Sequence, residues 1–226
     1  MRILPLLITS TLSLFSETYI INGSTIIGDI KQNNPSELTQ KNIALSETFS
    51  KINLKLPATF VVNTQSDENR VQLELDKEII DTIQVYVKQN QLYIHASKNI
   101  KTNLPIHVSI YSKEKIEDIQ TEGSTNLLLN GSNQPRLHLD TQGISKIKVS
   151  SGDIGTLQIN TEGSYRINFM KVQTQNASIQ AKGIGKIKLN VSDNLEVKLS
   201  NMAKVDYHGQ PQITQSLKGL SRLKQR

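Results

Sequence analysis

The sequence contains no cysteine and no tryptophan, and aromatic residues occupy only 4% of its 226 positions. Without cysteine the chain cannot form disulfides, cysteine-ligated metal centres or a thiol nucleophile, and it cannot carry a lipid on an N-terminal cysteine. Large aromatic side chains, which bury the most area per residue, are too few to anchor a globular core. Burial must therefore come from Ile, Leu and Val, which favour thin β-structure over a helical bundle.

Known chemical motifs are also missing. The sequence has no phosphate-binding loop, dinucleotide fingerprint or nucleophile elbow. The histidines follow no metal-ligand spacing, and two of them are expected to be ordinary polar surface residues, His138 and His208. We therefore expect neither a metal nor a cofactor. The net charge of +6 permits an anionic partner without requiring one.

The first sixteen residues have the layout of a secretory signal peptide. Met1 and Arg2 precede an apolar run of about a dozen residues, although no Ala-x-Ala fixes a cleavage site. We predict a signal peptide over residues 1–16 and export to the periplasm or the outer cell surface, the alternative being a short buried strand or helix. Residues 17–44 follow as a lead-in with a first strand. No other stretch is suited to cross a membrane.

A motif with a glycine at its centre repeats through the second half of the chain. The glycines are spaced by twenty residues, at Gly123, Gly143, Gly163 and Gly183. Two more copies follow at a spacing of eighteen, with Asn201 and Gly219 in the same slot. Asn replaces Gly naturally where the backbone needs a positive φ. Repeats of this length indicate stacked units.

Apolar and polar residues alternate on both sides of these glycines. Leu137 and Leu139 fall on one face of a strand, with Arg136 and His138 on the other. A period of two indicates strands, and the segments between residues 45 and 112 alternate in the same way. The sequence therefore predicts an all-β, single-domain parallel β-solenoid over residues 45–226. It would resemble a right-handed β-helix with rungs of about 18–20 residues.

The order of several short motifs resembles a known bacterial family. Leu-Pro-Ala-Thr at residues 56–59 precedes an Asp-Glu turn, then Val-x-Leu-Glu-Leu-Asp at 71–76 and the tandem glycine repeats. Near the end of the chain follow Asn190-Val-Ser-Asp-Asn-Leu-Glu-Val-Lys-Leu-Ser and Val205-Asp-Tyr-His-Gly-Gln-Pro. This order resembles the family named "putative auto-transporter adhesin, head GIN domain", which implies a β-solenoid at the envelope with an adhesin-like role. Family repeats usually read Ser-Gly-Ser-Gly-Asp, whereas here Lys or Arg often follows the glycine. Many members also carry a lipoprotein cysteine that is absent here.

A set of cations recurs after the glycines on the outward parity of the strands. We call this set the basic stripe; its members are Lys146, Lys148, Arg166, Lys186, Lys188, Lys204, Arg222 and Lys224. Stacked strands would align them over about 20 Å or more, with Asn126 at the head of the column. Like charges on neighbouring strands repel and destabilise the fold, and an anionic ligand would relieve this repulsion. The other reading is a solvated face that discourages aggregation. With almost no aromatics interleaved, nucleic-acid binding is not expected.

One pair of carboxylates is a candidate for catalysis. Glu122 and Glu162 would lie two rungs apart, roughly 9.6 Å between backbones, near the upper limit for an inverting glycosidase. Gln142 and Lys182 occupy the adjacent slots, and no cluster of aspartates surrounds the pair. Surface turn residues are therefore the better interpretation.

The leading functional hypothesis is a non-enzymatic, adhesin-like binding module of the cell envelope. Its partner would be an anionic envelope glycan, bound by the basic stripe, or another protein. The alternative from a different class is a polysaccharide-active enzyme on a β-helix. Cations near the C-terminus would protect the exposed end of the sheet, and both a monomer and an end-to-end dimer are compatible with the sequence.

Overall fold

The computed structural model describes residues 19–21, 24–26 and 37–226. Within residues 1–35, a short antiparallel pair joins β1 (Tyr19–Ile21) to β2 (Ser24–Ile26). Both strands lie in the predicted lead-in, residues 17–44, whereas the predicted signal peptide lies outside the described residues. None of the described residues forms a helix long and apolar enough to cross a membrane.

Residues 36–226 form the main unit, which contains twelve strands and one turn of 3-10 helix, Ile80–Thr82. The strands of this unit are β3 (Leu38–Ala44), β4 (Lys51–Lys55), β5 (Ala58–Thr64), β6 (Arg70–Asp76), β7 (Ile83–Lys88), β8 (Gln91–Ala96), β9 (His107–Ser112), β10 (Asp118–Asn130), β11 (Gln134–Val149), β12 (Gly152–His208), β13 (Gln212–Leu217) and β14 (Arg222–Gln225).

These strands form one mixed sheet. The all-β class is confirmed, but the predicted parallel β-solenoid is wrong, because β3–β6, β6–β9 and β7–β8 are antiparallel pairs. The physical reason is visible at Gln89 and Asn90, which both have positive φ (51° and 61°). Two central residues with positive φ make the tight turn that reverses a chain into a hairpin. Gln89 and Asn90 therefore mark a reversal of the chain direction between β7 and β8, not a link between parallel strands.

The repeat spacing corresponds to the register of the parallel part of this sheet. Gly123 pairs with Gly143, and Gly143 with Gly163, across β10, β11 and β12. Gly163 has a φ of 116°, and a Cβ placed there would overlap the carbonyl oxygen of Gly143. Only glycine allows the backbones to approach this closely. Asn201 occupies the same slot at a φ of 65°, as its spacing predicts.

The core follows the predicted alternation. Leu137 and Leu139 are buried while Arg136 is exposed, and the same alternation continues through β12. The bulkiest fully buried side chains are Phe49, Phe60 and Phe169. Burial ends at β13, where every residue is exposed. Because buried and exposed residues alternate in β11 and β12, every second side chain of these strands lies on the outer surface.

Candidate functional site

The basic stripe lies on the outer surface of the parallel strands. Lys146 pairs in register with Arg166, and Lys204 with Arg222, so these side chains occupy adjacent strands. Strands paired in a sheet are about 4.8 Å apart, which brings these cations close together. Ile147, which follows Lys146, and Ile167, which follows Arg166, are buried, so the preceding cations point to the outer surface. The local alternation therefore fixes the direction of each cation.

Five members of the stripe line one depression of about 370 Å³. They are Lys146, Lys148, Arg166, Lys186 and Lys188. Asn168 also lines the depression, together with Ile147 and Ile167. The remaining members, Lys204, Arg222 and Lys224, lie outside it, on β12 and β14. The structure thus brings more than half of the predicted stripe into one concave surface.

One carboxylate interrupts the stripe. Asp206, which is only 6% exposed, accepts hydrogen bonds from Lys186 Nζ at 2.7 Å and from Arg226 Nε at 2.9 Å. Burial raises the pKa of Asp206, but the two cations outweigh it and hold this pKa below its ordinary value. Within residues 37–226, the other seven members have no carboxylate oxygen within 4 Å. Most of the positive charge is therefore not neutralised by the protein.

The candidate catalytic carboxylates are each paired with a lysine. Glu122, Gln142 and Glu162 occupy the same register position on adjacent strands. Glu122 lies 2.8 Å from Lys55 Nζ, and Glu162 lies 2.7 Å from Lys182 Nζ. Both carboxylates are well exposed. Two exposed and separately ion-paired groups do not form the facing acid and base that glycoside hydrolysis requires.

A polar chain around His138 was missed by the sequence reasoning, which treated this residue as an isolated surface histidine. His138 Nδ1 lies 3.0 Å from Asp118 Oδ2, and its Nε2 lies 3.2 Å from Asn160 Nδ2. The ring can therefore donate to the carboxylate while it accepts from the amide. Asp118 and His138 are twenty residues apart, so the repeat spacing could have predicted their contact. In the described residues, no three His, Asp or Glu side chains come together as a metal site requires.

These features define an all-β domain whose outer surface carries a row of cations, most of them without a carboxylate partner in the described residues. The chain belongs to the family described as "Putative auto-transporter adhesin, head GIN domain", whose model matches residues 48–211. The resemblance seen in the sequence is thereby confirmed. The family supports an adhesin-like function, although its description names no ligand.

Several solved structures share this fold. A "putative adhesin" from Bacteroides fragilis NCTC 9343 is 17% identical with a TM-score of 0.67, over 84% of this chain and 97% of that one. A "putative adhesin" from Parabacteroides merdae ATCC 43184 is 15% identical with a TM-score of 0.52, over 84% and 96%. A "putative lipid binding protein" from Parabacteroides distasonis ATCC 8503 is 18% identical with a TM-score of 0.53, also over 84% and 96%. These likenesses show the fold alone. Comparison with the curated proteins finds no match.

Proposed function

We propose that this protein is an exported, non-enzymatic binding module of the adhesin type, which binds an anionic envelope glycan through the basic stripe. The observation that carries the proposal is the depression lined by five cations, four of which have no carboxylate oxygen within 4 Å in residues 37–226. An anionic chain laid across adjacent strands would meet a cation about every 4.8 Å. A polymer with regularly spaced carboxylates or phosphates matches that repeat.

Repulsion between neighbouring cations of the basic stripe favours the binding of an anion. Lys146 and Arg166 are direct neighbours on paired strands, where like charges are destabilising. A bound anion removes this repulsion and gains charge-assisted hydrogen bonds. Because the stripe faces solvent, salt should weaken its attraction for an anionic ligand. The Debye length is about 8 Å at physiological ionic strength.

The enzymatic alternative lacks a comparable observation, since each of the two carboxylates that suggested it is paired with its own lysine. Export rests on the signal-peptide pattern of residues 1–16 and agrees with the family description. Mass determination of the protein recovered from the periplasm or the cell surface would test export. Recovery of the full-length chain from the cytoplasm alone would contradict it.

The binding test uses polygalacturonate as an anionic probe and dextran as a neutral one, each at low and at physiological salt. The double variant Lys146→Glu and Lys188→Glu reverses two stripe cations and leaves the Lys186–Asp206 pair intact. We expect it to bind polygalacturonate at least about tenfold more weakly, which corresponds to 1.4 kcal/mol. The control Lys88→Glu and Lys113→Glu makes the same charge change at exposed lysines outside the stripe. Equal losses in both variants, or binding of dextran, would contradict a role for the stripe.

A further inference from the structure

A row of exposed apolar side chains runs beside the basic stripe. We call it the apolar row, and its members directly follow Gly143, Gly163, Gly183, Asn201 and Gly219: Ile144, Ser164, Ile184, Met202 and Leu220. Four of its five members are large and apolar, with exposures of 63% for Ile144, 60% for Ile184, 42% for Met202 and 75% for Leu220.

The register of the strands places these residues next to one another. Ile144 pairs with Ser164 across β11 and β12. A Cβ on Gly183 would overlap the carbonyl oxygen of Gly163, so Ile184 lies beside Ser164. The next return of the chain is offset by eighteen residues, as the Ser178–Glu196 hydrogen bond shows, which aligns Met202 with Ile184. Leu220 donates its N–H to the Asn201 carbonyl at 2.7 Å and completes the row.

These apolar residues are not required by the fold. Serine occupies the same register position at Ser124 and Ser164, and the strand pairing continues through both residues. Of eight large hydrophobic side chains that are exposed in residues 37–226, four belong to the apolar row, and these include the three most exposed. An exposed apolar row of this kind, interrupted at Ser164, marks an interaction site more often than scattered single residues do.

The charges beside the row indicate what it contacts. Two residues after each member the chain presents a cation of the basic stripe: Lys146, Arg166, Lys186, Lys204 and Arg222. Two residues of a strand span about 6–7 Å, so a line of aliphatic side chains runs parallel to a line of cations. Surfaces that lie on a bilayer combine the same two features, with apolar groups at the acyl boundary and Lys or Arg at the lipid phosphates.

We propose that the apolar row inserts into the surface of an anionic lipid bilayer while the basic stripe binds its phosphate headgroups. The row is a single residue wide, and its four apolar side chains are well exposed. A fluid bilayer accepts such a line, whereas protein interfaces rely on residues buried at the centre of a well-packed patch. The inference rests on the proposed function in that both use the basic stripe, and it adds a lipid surface as the partner.

The test measures cosedimentation with vesicles of phosphatidylglycerol and phosphatidylcholine, and with phosphatidylcholine alone, at physiological salt. The wild type should bind the anionic vesicles. The variant Ile144→Ser, Ile184→Ser, Met202→Ser should bind them at least tenfold more weakly and keep its binding to polygalacturonate. Its folding can be checked by circular dichroism, and the natural serine at position 164 indicates that this register position tolerates the change. The stripe variant Lys146→Glu, Lys188→Glu should lose both ligands.

Because the chain has no tryptophan, Ile184→Trp supplies a single fluorescent reporter. Its emission should shift to shorter wavelength with anionic vesicles, while Leu38→Trp, an exposed position outside the apolar row, should not shift. Binding of polygalacturonate without vesicle binding would overturn the lipid inference and leave the proposed function standing. Vesicle binding without a shift at position 184 would also overturn insertion. A change of oligomeric state in the serine variant with unchanged vesicle binding would instead assign the row to a second copy of the chain.

Discussion

Lys186 Nζ lies 2.7 Å from the nearly buried carboxylate of Asp206, the one anion that contacts the basic stripe within the described residues. The same oxygen of Asp206 accepts a hydrogen bond from Arg226 at 2.9 Å. A single carboxylate therefore bridges a stripe cation and the residue that follows β14. This bridge links the stability of the C-terminal strands to the charge of the stripe.

Asp206→Asn should lower the free energy of unfolding at pH 7 by about 1–2 kcal/mol, because both charge-assisted hydrogen bonds are weakened. The pKa of Asp206 is held below its ordinary value of 3.8. Its stabilising contribution is therefore complete above that value and is lost as the pH falls through the lower pKa of the folded state. Urea unfolding at pH 7 and at pH 2–3 should show a smaller difference between wild type and variant in acid. A difference that grows in acid would contradict this assignment.

The same substitution should tighten the binding of polygalacturonate at low salt, because it frees Lys186 and adds one net positive charge to the stripe. Asp67→Asn makes the same charge change at an exposed position and should leave the binding constant nearly unchanged. A titration of both variants separates a local effect of the stripe from a change in total charge. Weaker binding by Asp206→Asn would show that the pair positions Lys186 for the ligand.

Tyr165→Phe should leave the protein equally stable at pH 7, or more stable by up to about 1 kcal/mol. The Tyr165 hydroxyl is buried and has no hydrogen-bond partner in the described residues, so its removal abolishes a desolvation cost. Tyr93→Phe is the matched control, because the Tyr93 hydroxyl donates to Gln91 Oε1 at 3.0 Å and its loss should be destabilising. A loss of more than 1 kcal/mol in Tyr165→Phe would reveal a hidden partner for this hydroxyl.

Burial raises the pKa of Tyr165 to about 12 from an ordinary value of 10.0. Above pH 10 the unfolded chain ionises this hydroxyl while the folded protein keeps it neutral, so stability falls as the pH rises from 10 towards 12. Tyr165→Phe should show a smaller alkaline loss of stability than the wild type. Thermal unfolding between pH 8 and pH 11 measures the difference; identical slopes in the two proteins would refute the raised pKa.

Gly163→Ala should destabilise the protein by at least about 3 kcal/mol, because a strained φ and a backbone overlap act together. The added Cβ would meet the carbonyl of Gly143 on the paired strand. Gly123→Ala is the control, since its φ of 94° is also positive but a Cβ there meets nothing within 4 Å. It should cost only the backbone strain, about 1–3 kcal/mol. Similar losses in both variants would show that strain alone, without the overlap, accounts for the effect.

Glu162→Gln should change the free energy of unfolding by less than about 1 kcal/mol, because the side chains of both Glu162 and Lys182 are exposed to solvent in this ion pair. Urea unfolding at 0.05 M and 0.5 M salt would measure the change. A larger loss, or any glycan cleavage by the wild type that disappears in this variant, would return Glu162 to consideration as a functional group.

The local pattern predicted much of what the structure contains. Strand periodicity identified Leu137 and Leu139 as buried, and the repeat spacing identified the glycine register with Asn201 in a glycine slot. The direction of the N-terminal strands was predicted wrongly, since alternation is the same in parallel and antiparallel strands. The turn at Gln89 and Asn90 carried the missing information, because a two-residue connection can join only antiparallel neighbours.

The candidate site shows the same division. Spacing predicted the outward parity of the basic stripe, and the structure places five of its members around one depression. It did not predict that Asp206 would neutralise Lys186, because that contact depends on how far a nearly buried carboxylate reaches towards the surface. The chain from Asp118 through His138 to Asn160 was also missed, since Asn160 lies two residues beyond the twenty-residue offset.

By itself, the sequence determined the all-β class, the family and the faces of the parallel strands, because side-chain alternation and glycine spacing are properties of the local chain. Only the tertiary structure decided which strands run antiparallel, which cations are neutralised and that the members of the apolar row lie next to one another on the surface. Those features depend on which distant strands pair and in which register. A period of two fixes the face of a residue but does not fix its neighbour.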